Sequence, residues 1–593
     1  MGVRHFETYL KKSPPEVRRE VNIAELASEY TQSTGKRPII AVDGRNLLRS
    51  VHKPRDNEWM LGGQMKALVQ DMQSFVSKFQ KIGVDLVFFF DGATRENKRS
   101  TWLRRRQDNM KKIVQLFRKL QGNFNQQYMI PPLFGATGAF VAKFECGCDV
   151  RLSLFECDAA MAEEAHNKDY LGIISRDTDF VFLKGARYYF SSVDMNPDTM
   201  KAIAYNRKDL QTYLGLKPKQ LLMLASLIGN DLIPPEDLKN FQSHVCPTNN
   251  NIVKLVPCLV EYIKHKYTTE RCETEDLCHI ASDVFGNETR AQDLRESILS
   301  YLPSSAEETD HLEPSSVAEL SLEAPWRRIL DVARQKHESC SVTTHLYPVM
   351  IGEAFELSTA LENYRFEIPH TAAIYRPLRQ RIYGILLHEK PGAAIVKEWC
   401  IGSNQIPTEP LEVPIIRPDN HPGLLHLWDE SCPDDTKWRL FVDCLTRQKK
   451  LDASKLQELG FPFAVPVAVI HYLQQEYVGY LTETEVDVLL AQAATVKTTS
   501  ALELAAISMK MLTPRLLYLS TIFHRGVATI LFLLAACGFI LKDAMPWFYF
   551  DGKMLLQKYV EATQYGKVEK ALCSTQKDVL ASFEKMKEIL NSV

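Results

Sequence analysis

LVFFFDGATRENKRSTWLRRR, residues 86–106, is the stretch that decides the fold class. The apolar run Leu86–Phe90 stops abruptly at Asp91-Gly92, and a strongly basic segment follows at once. A run that is apolar at every position, not at every second one, is the pattern of a strand covered on both faces in a parallel sheet. Ligands of open α/β sheets bind beyond the C-terminal ends of the strands, so Asp91 is expected at the active edge. Arg95, Lys98, Arg99, Arg104, Arg105 and Arg106 then crowd beside that acid, and Lys111 and Lys112 extend the run. A phosphate polymer held next to a metal requires such a pairing of acid and cations. The competing account of the basic run is a solvated helical face. Trp102 and Phe117 fit either account, as packing residues or as platforms for bases.

The same logic recurs along the first 240 residues. RPIIAVDGRN, residues 37–46, is another apolar run ending in an aspartate, Asp43, which is expected on the same sheet edge as Asp91. Between them, Leu68, Met72, Phe75, Val76 and Phe79 recur at helical spacing after Gly62-Gly63-Gln64, which makes a β-α-β unit. LFECDAAMAEEA, residues 154–165, holds Glu156 and Asp158. Residues two apart in a helix point about 200° away from each other, so these acids converge only at a helix entrance, whose first residue need not be helical. The strand YLGIIS, residues 170–175, runs into Asp177 and Asp179, and the apolar helix Leu221–Ile228 ends in Gly229-Asn230-Asp231.

Any one of these acids is accounted for as a cap or turn residue. Together, Asp43, Asp91, Glu156, Asp158, Asp177, Asp179 and Asp231 all fall at ends of apolar elements in one α/β domain. Carboxylates gathered on one edge raise one another's pKa unless cations neutralise them. All-oxygen donors suit the hard ions Mg²⁺ or Mn²⁺. Two such ions held ~4 Å apart activate a water and stabilise the leaving oxygen of a phosphodiester. No GxxxxGK[ST] loop and no Ser/His/Asp or Cys/His arrangement competes with this reading.

The start Met1-Gly2-Val3, the IAVDG and FFFDG strand ends, Glu156-x-Asp158, Asp177-x-Asp179 and IGND at 228–231 resemble the XPG/flap-endonuclease superfamily, which has a PIN-like fold. The resemblance implies that the seven acids are metal ligands of a complete two-metal site and that Lys98 and Arg105 are its phosphate-contacting catalytic cations. Gly2 and the basic run that directly follows the strand-end aspartate, Arg95, Lys98, Arg99, Arg104, Arg105, Arg106, Lys111 and Lys112, are expected at a nucleic-acid-binding surface. Within the superfamily the likeness is to the constitutive coactivator of peroxisome proliferator-activated receptor gamma family, with the asteroid proteins next. WMLGGQ at 59–64, GNDLIP at 229–234, RPLRQRIYG at 376–384 and MPWFYFDGK at 545–553 carry it nearly end to end. One departure stands out. Where flap endonucleases continue into a glycine-rich helix-hairpin-helix that grips duplex DNA, this chain reads LIPPEDLK at 232–239. Single strands or structured RNA thereby become the expected ligands.

A chain of 593 residues exceeds one hydrophobic core. The expected organisation is an XPG/PIN-like α/β domain with a central, mainly parallel sheet at 1–240 and a helical extension at 241–302. An acidic serine-rich linker at 303–325 and an all-helical domain at 326–593 follow. A net charge of −2 gives no global sign of nucleic-acid binding, so local clustering must supply it. Thirteen cysteines at scattered spacing after a charged start imply a reducing intracellular compartment and not secretion, and the expected location is the nucleus, with the cytoplasm as an additional one. Cys146/Cys148 and Cys272/Cys278/His279 read as plain thiols and not zinc ligands. The apolar run Val527–Leu541 falls short of the ~20 residues that span a bilayer and reads as a buried helix. Trp547–Phe550 reads as core. The Arg376–Arg381 cluster reads equally as a phosphate site or as surface charge.

Two functions follow. The first is a nucleic-acid-associated regulatory protein of transcriptional-coactivator type, binding single-stranded or structured RNA or DNA, with the helical domain contacting transcription or RNA-regulatory proteins. The second is an active Mg²⁺- or Mn²⁺-dependent endonuclease.

Overall fold

The computed structural model describes residues 2–3, 5–52, 58–120, 131–247, 251–268, 274–302, 324–362, 369–400, 409–509, 512–565, 573 and 576–592. The chain forms two compact units. The first comprises Met1–Val51, Ser74–Trp102 and Phe155–Glu313, and the second comprises His52–Gln73, Leu103–Leu154 and Pro314–Val593. Residues 52–73 and 103–154 therefore belong to the second unit, while the helices of 241–302 belong to the first. In chain order the strands are β1 (Arg19–Asn22), β2 (Ile39–Asp43), β3 (Asp85–Phe90), β4 (Asp149–Leu152), β5 (Gly172–Ser175), β6 (Tyr188–Ser191), β7 (Lys201–Tyr205), β8 (Phe355–Glu356), β9 (Ile395–Trp399) and β10 (Leu411–Pro414).

The strands of the first unit lie in the order β1-β7-β6-β5-β2-β3. The centre is parallel, as the continuous apolar runs require: β2 pairs with β3 on one side and β5 on the other, and β5 pairs with β6. Only the β6–β7 and β1–β7 pairs are antiparallel. Register puts Val42 opposite both Phe88 and Ile174. Asp43, Asp91 and Asp177 consequently leave the sheet at one edge. The runs pack because nothing in them is polar: Ile40, Val42, Phe88 and Ile174 are fully buried. Each such side chain contributes about 1.5–3 kcal/mol. The apolar helix Pro218–Ile228, and the helices Ile252–Lys266, Thr274–Phe285 and Ala291–Leu299, share this unit's hydrophobic core with residues of the sheet.

The second unit is mainly helical but not all-helical, which corrects the expectation for 326–593: β8, β9 and β10 form a sheet in the order β10-β9-β8. The sequence hides β9 because Glu398, an acid, occupies a core-facing position and is completely buried. Arg379 makes that burial tolerable, with its Nε and Nη2 donating to Glu398 at 2.7 and 2.8 Å. Arg376 adds a contact to Glu398 at 3.2 Å, and Arg381 donates to Glu476 at 2.9 Å. The Arg376–Arg381 cluster thus neutralises internal acids and is not a phosphate site. The run at 527–541 belongs largely to the helix Pro514–Ala536, which is long and apolar enough to cross a membrane, yet 94% of its most apolar window is buried within the protein. Trp547, Tyr549 and Phe550 are core residues, as expected. Of the expected linker, 303–323 lies outside the described residues, and the helix Ala324–Glu338 begins directly after it. Cys272 is likewise outside them.

Candidate metal and nucleic-acid site

Each acid owes its position to the end of an element. Asp43 closes β2, is 5% exposed, and accepts hydrogen bonds from Asn46 (backbone N–H at 3.1 Å, side-chain amide at 2.5 Å) and from Ser175 Oγ at 2.8 Å. Asp91 follows β3 and accepts the Cys157 backbone N–H at 3.0 Å, with Arg45 at 3.9 Å. Glu156 is the extended N-cap of the helix Cys157–Asn167, with φ −68° and ψ 140°, and Asp158 lies in that helix's first turn. This is the non-helical entrance at which two acids two residues apart converge. Asp177 follows β5 and caps the short 3₁₀ turn Thr178–Val181, accepting the Asp179 N–H at 3.1 Å. Asp179 in turn accepts the Val3 backbone N–H at 2.9 Å, with the Tyr301 hydroxyl at 3.5 Å.

The electrostatics show that the acids meet. Burial first, then the charges of Asp177, Asp43, Asp91 and Asp179, push the Asp158 carboxyl well above the usual range. Burial and Asp177, with Asp231 adding, raise Asp179 to about 8. Burial and Asp91 raise Asp43 to about 6, although the bonds from Ser175 and Asn46 oppose the shift. Lys98 sits among these groups, its ammonium 2.5 Å from Glu156. Burial works against its charge, but Glu156, Asp231 and Asp158 outweigh it and raise its pKa. Gly2 lies against the same cluster: at φ +40° a Cβ there would fall 2.0 Å from Asp177 Oδ1.

The remaining cations divide. Arg95 is exposed, with its guanidinium over the Phe155 ring at 4.9 Å. Arg99 packs inward at 6% exposure, donates to the Thr94 carbonyl at 3.0 Å and stacks over Trp102 at 5.0 Å. Arg104, Arg105, Arg106, Lys111 and Lys112 continue the helix Arg99–Lys119 and belong to the second unit. There Arg104, Lys111 and Lys112 are exposed, Arg105 is half-buried, and Arg106 bonds the Leu357 carbonyl. Sequence reasoning missed Ser175, Asn46 and Tyr301, which fix the acids' orientation. Ser175 had a signal, as the last residue of a strand that runs into Asp177.

The donor set is all oxygen, and its mutual repulsion is what a hard divalent cation relieves. Yet among the described residues no three acids, histidines or cysteines stand close enough to ligate one ion. Asp43, Asp91, Glu156, Asp177 and Asp179 each have an oxygen engaged by a protein donor.

Residues 214–305 match the FAM120A-like domain family. The bovine constitutive coactivator of peroxisome proliferator-activated receptor gamma is 27% identical over 680 aligned positions that cover 100% of this chain and 95% of the relative. The mouse protein of the same name is 25% identical, covering 100% and 92%. Among solved structures, human GEN1 in complex with Holliday junction DNA overlaps 59% of this chain and 77% of its own at 14% identity and a TM-score of 0.31. The catalytic core of Rad2 with DNA substrate overlaps 51% and 94% at 17% identity and a TM-score of 0.28. Overlaps this loose carry no weight for what the chain does. From end to end, the chain is similar to the constitutive coactivators of peroxisome proliferator-activated receptor gamma, the family to which its sequence motifs pointed.

Proposed function

We propose that this chain is a nucleic-acid-associated regulatory protein of transcriptional-coactivator type, acting in the nucleus, whose first unit holds single-stranded or structured RNA or DNA at the acidic sheet edge. The carrying observation is the convergence of four acids on Asp158 with Lys98 among them. End-to-end likeness to coactivators supports the regulatory half of the reading. Asp43, Asp91, Glu156, Asp158, Asp177, Asp179 and Asp231 are the residues that would hold Mg²⁺ or Mn²⁺. Bound there, the ion supplies the positive charge that lets phosphate oxygens approach. Lys98 holds Glu156 in place and offers a second positive group to phosphate. Ser175 and Asn46 fix the Asp43 carboxyl, and Val3 fixes Asp179, so the donors are oriented before any ligand arrives. The second unit is the surface for transcription or RNA-regulatory proteins.

Endonuclease action is the second reading, favoured by the completeness of the acid set in one unit together with Lys98. Intact ligands do not by themselves give turnover, because substrate positioning contributes much of the rate. Incubating the purified chain with labelled single-stranded, flapped and duplex DNA and RNA in Mn²⁺ separates the two. Product that disappears in Asp177→Asn identifies an enzyme. Metal-dependent binding without product identifies the regulator, and neither binding nor product refutes both.

A further inference from the structure

The second unit contains a cavity of 120 Å³ that no residue of the acidic edge lines. An apolar cavity of about 150 Å³ takes up benzene, so this one is of single-ring size. Its walls are largely apolar, with Phe355 and Phe532 stacked 6.0 Å apart on one side. The sequence motifs of this unit that the acidic edge leaves unused all reach it: Met60 and Gly62 from 59–64, Arg379 from 376–384 and Met545 from 545–553.

Gly62 has a φ of +92°, and a Cβ there would fall 1.4 Å from His524 Cε1, so glycine is what leaves room for that imidazole at the wall. His524 is 5% exposed, and its Nε2 has no hydrogen-bond partner among the described residues. Thr343 Oγ1, also at the cavity, is in the same state. Burial and then Arg525 hold the His524 imidazole at about 3, so it is neutral near pH 7 and its Nε2 is either a donor or an acceptor. Buried polar groups without partners are rare enough to call for a ligand or water. A hydroxyl both donates and accepts, and so matches Nε2 in either tautomer and the Thr343 hydroxyl as well.

Charge is not what the cavity offers. No Asp or Glu is among its described lining residues, Arg379 is matched by Glu398 at 2.7 Å, and Arg525 donates to the Ser358 carbonyl and has further interactions. A charged ligand would leave water there without a counter-ion of its own, which is costly.

We propose that this cavity binds a neutral single-ring molecule bearing a hydroxyl, of the phenol class, with its ring against Phe355 and Phe532 and its hydroxyl toward His524 and Thr343. Nothing in this depends on the acidic edge, so the two proposals stand or fall separately.

Phenol tests it by calorimetry and thermal unfolding of the full chain near pH 7, with toluene as the ring that lacks the hydroxyl and benzoate as the charged one. Phenol is expected to bind with a dissociation constant of about 1 mM or below and to raise the unfolding temperature, and benzoate to bind at least about tenfold more weakly. In the double variant Thr343→Val/His524→Leu the ratio of phenol to toluene affinity is expected to fall at least about threefold, the worth of one hydrogen bond. That variant removes two polar atoms that have no partners, so it is expected to keep the fold. Ala139→Phe, which fills the cavity from its wall, abolishes binding of both rings. If Ala139→Phe fails to fold, the double variant still decides. No phenol binding at about 10 mM, benzoate binding as tight as phenol, an unchanged phenol-to-toluene ratio in the double variant, or undiminished binding in a folded Ala139→Phe overturns the proposal.

Discussion

Replacing Asp179 by Asn is expected to stabilise the metal-free protein at high pH and to weaken the protein's response to metal. The substitution keeps an Oδ1 acceptor for the Val3 N–H and removes only the charge. Burial and Asp177 raise the wild-type carboxyl from 3.8 to about 8. The folded state therefore binds this proton more tightly than the unfolded state. Stability is unpenalised below pH 3.8, falls as pH rises through the interval, and carries the full penalty above about 8. A shift of that size sets a ceiling of about 6 kcal/mol. Relaxation of the neighbouring groups brings the expected gain of the Asn variant at about pH 9 to about 2 kcal/mol. For a unit of this size that is a rise of about 4–8 °C in melting temperature, absent near pH 4. Saturating Mn²⁺ reverses the order, because a ligand at 100 times its dissociation constant contributes about 2.7 kcal/mol to a protein that retains every donor. Thermal unfolding of both proteins across pH, with and without Mn²⁺, reads all four quantities. A difference independent of pH would show that the acids do not crowd one another. Equal stabilisation of both proteins by Mn²⁺ would remove Asp179 from the ligand set.

Other perturbations address the surroundings of the site. Ser175→Ala deprives Asp43 of a hydrogen bond and leaves the Asp177 N–H without its 3.0 Å acceptor, so urea unfolding should register a loss of about 1–3 kcal/mol. Gly2→Ala places a Cβ 2.0 Å from Asp177 Oδ1 in a left-handed backbone, and should cost about 1–3 kcal/mol and lower metal affinity in calorimetry. In the second unit, Arg379→Met strands the buried Glu398 charge and should cost about 3–5 kcal/mol in urea unfolding. Burial raises Glu398, but Arg379, Tyr383 and Arg376 bring it down to about 2. The stability it contributes is present above 4.5 and is lost as pH falls toward about 2, and the Met variant should lose that acid-dependent component.

The sheet edge was legible because a β-run that stops at an aspartate has few alternatives. Asp43, Asp91 and Asp177 each end such a run, and parallel pairing then puts them together. Glu156 and Asp158 were legible through the geometry of a helix entrance. What orients the acids was not. Tyr301 lies 122 residues from Asp179 and reaches it only through the tertiary packing of the helix Ala291–Leu299. Nor could sequence spacing tell a phosphate-binding arginine cluster from one that neutralises Glu398, because that depends on an inward-facing acid in a strand of five residues. The same acid broke the apolar pattern that would have announced the strand.

The acids' partners set what a nucleic acid would meet at this edge. Asp43 is held by Asn46 and Ser175, Asp91 by the Cys157 N–H, and Asp179 by the Val3 N–H, all neutral donors. They orient the oxygens without supplying charge. Lys98 supplies one positive charge and directs it to Glu156 at 2.5 Å. A phosphate group approaching an edge where only Lys98 and, at 3.9 Å from Asp91, Arg45 are described beside the acids meets net repulsion within a screening distance of about 8–10 Å. Raised pKa values relieve part of that: Asp179, raised to about 8, holds its proton near neutral pH and burial pushes Asp158 in the same direction, but the relief fades as pH rises. Divalent cations bound to the ionised carboxylates would remove the repulsion, increasingly so as pH rises and protons cease to compete, and need no new protein group. Nucleic acid held at this edge as proposed is therefore expected to need metal whether or not a bond is cut, whereas nucleic acid held through the exposed Arg104, Lys111 and Lys112 is expected not to. Chelation distinguishes the two surfaces without a mutation, and a nucleic-acid complex that survives it unchanged belongs to the basic helix alone.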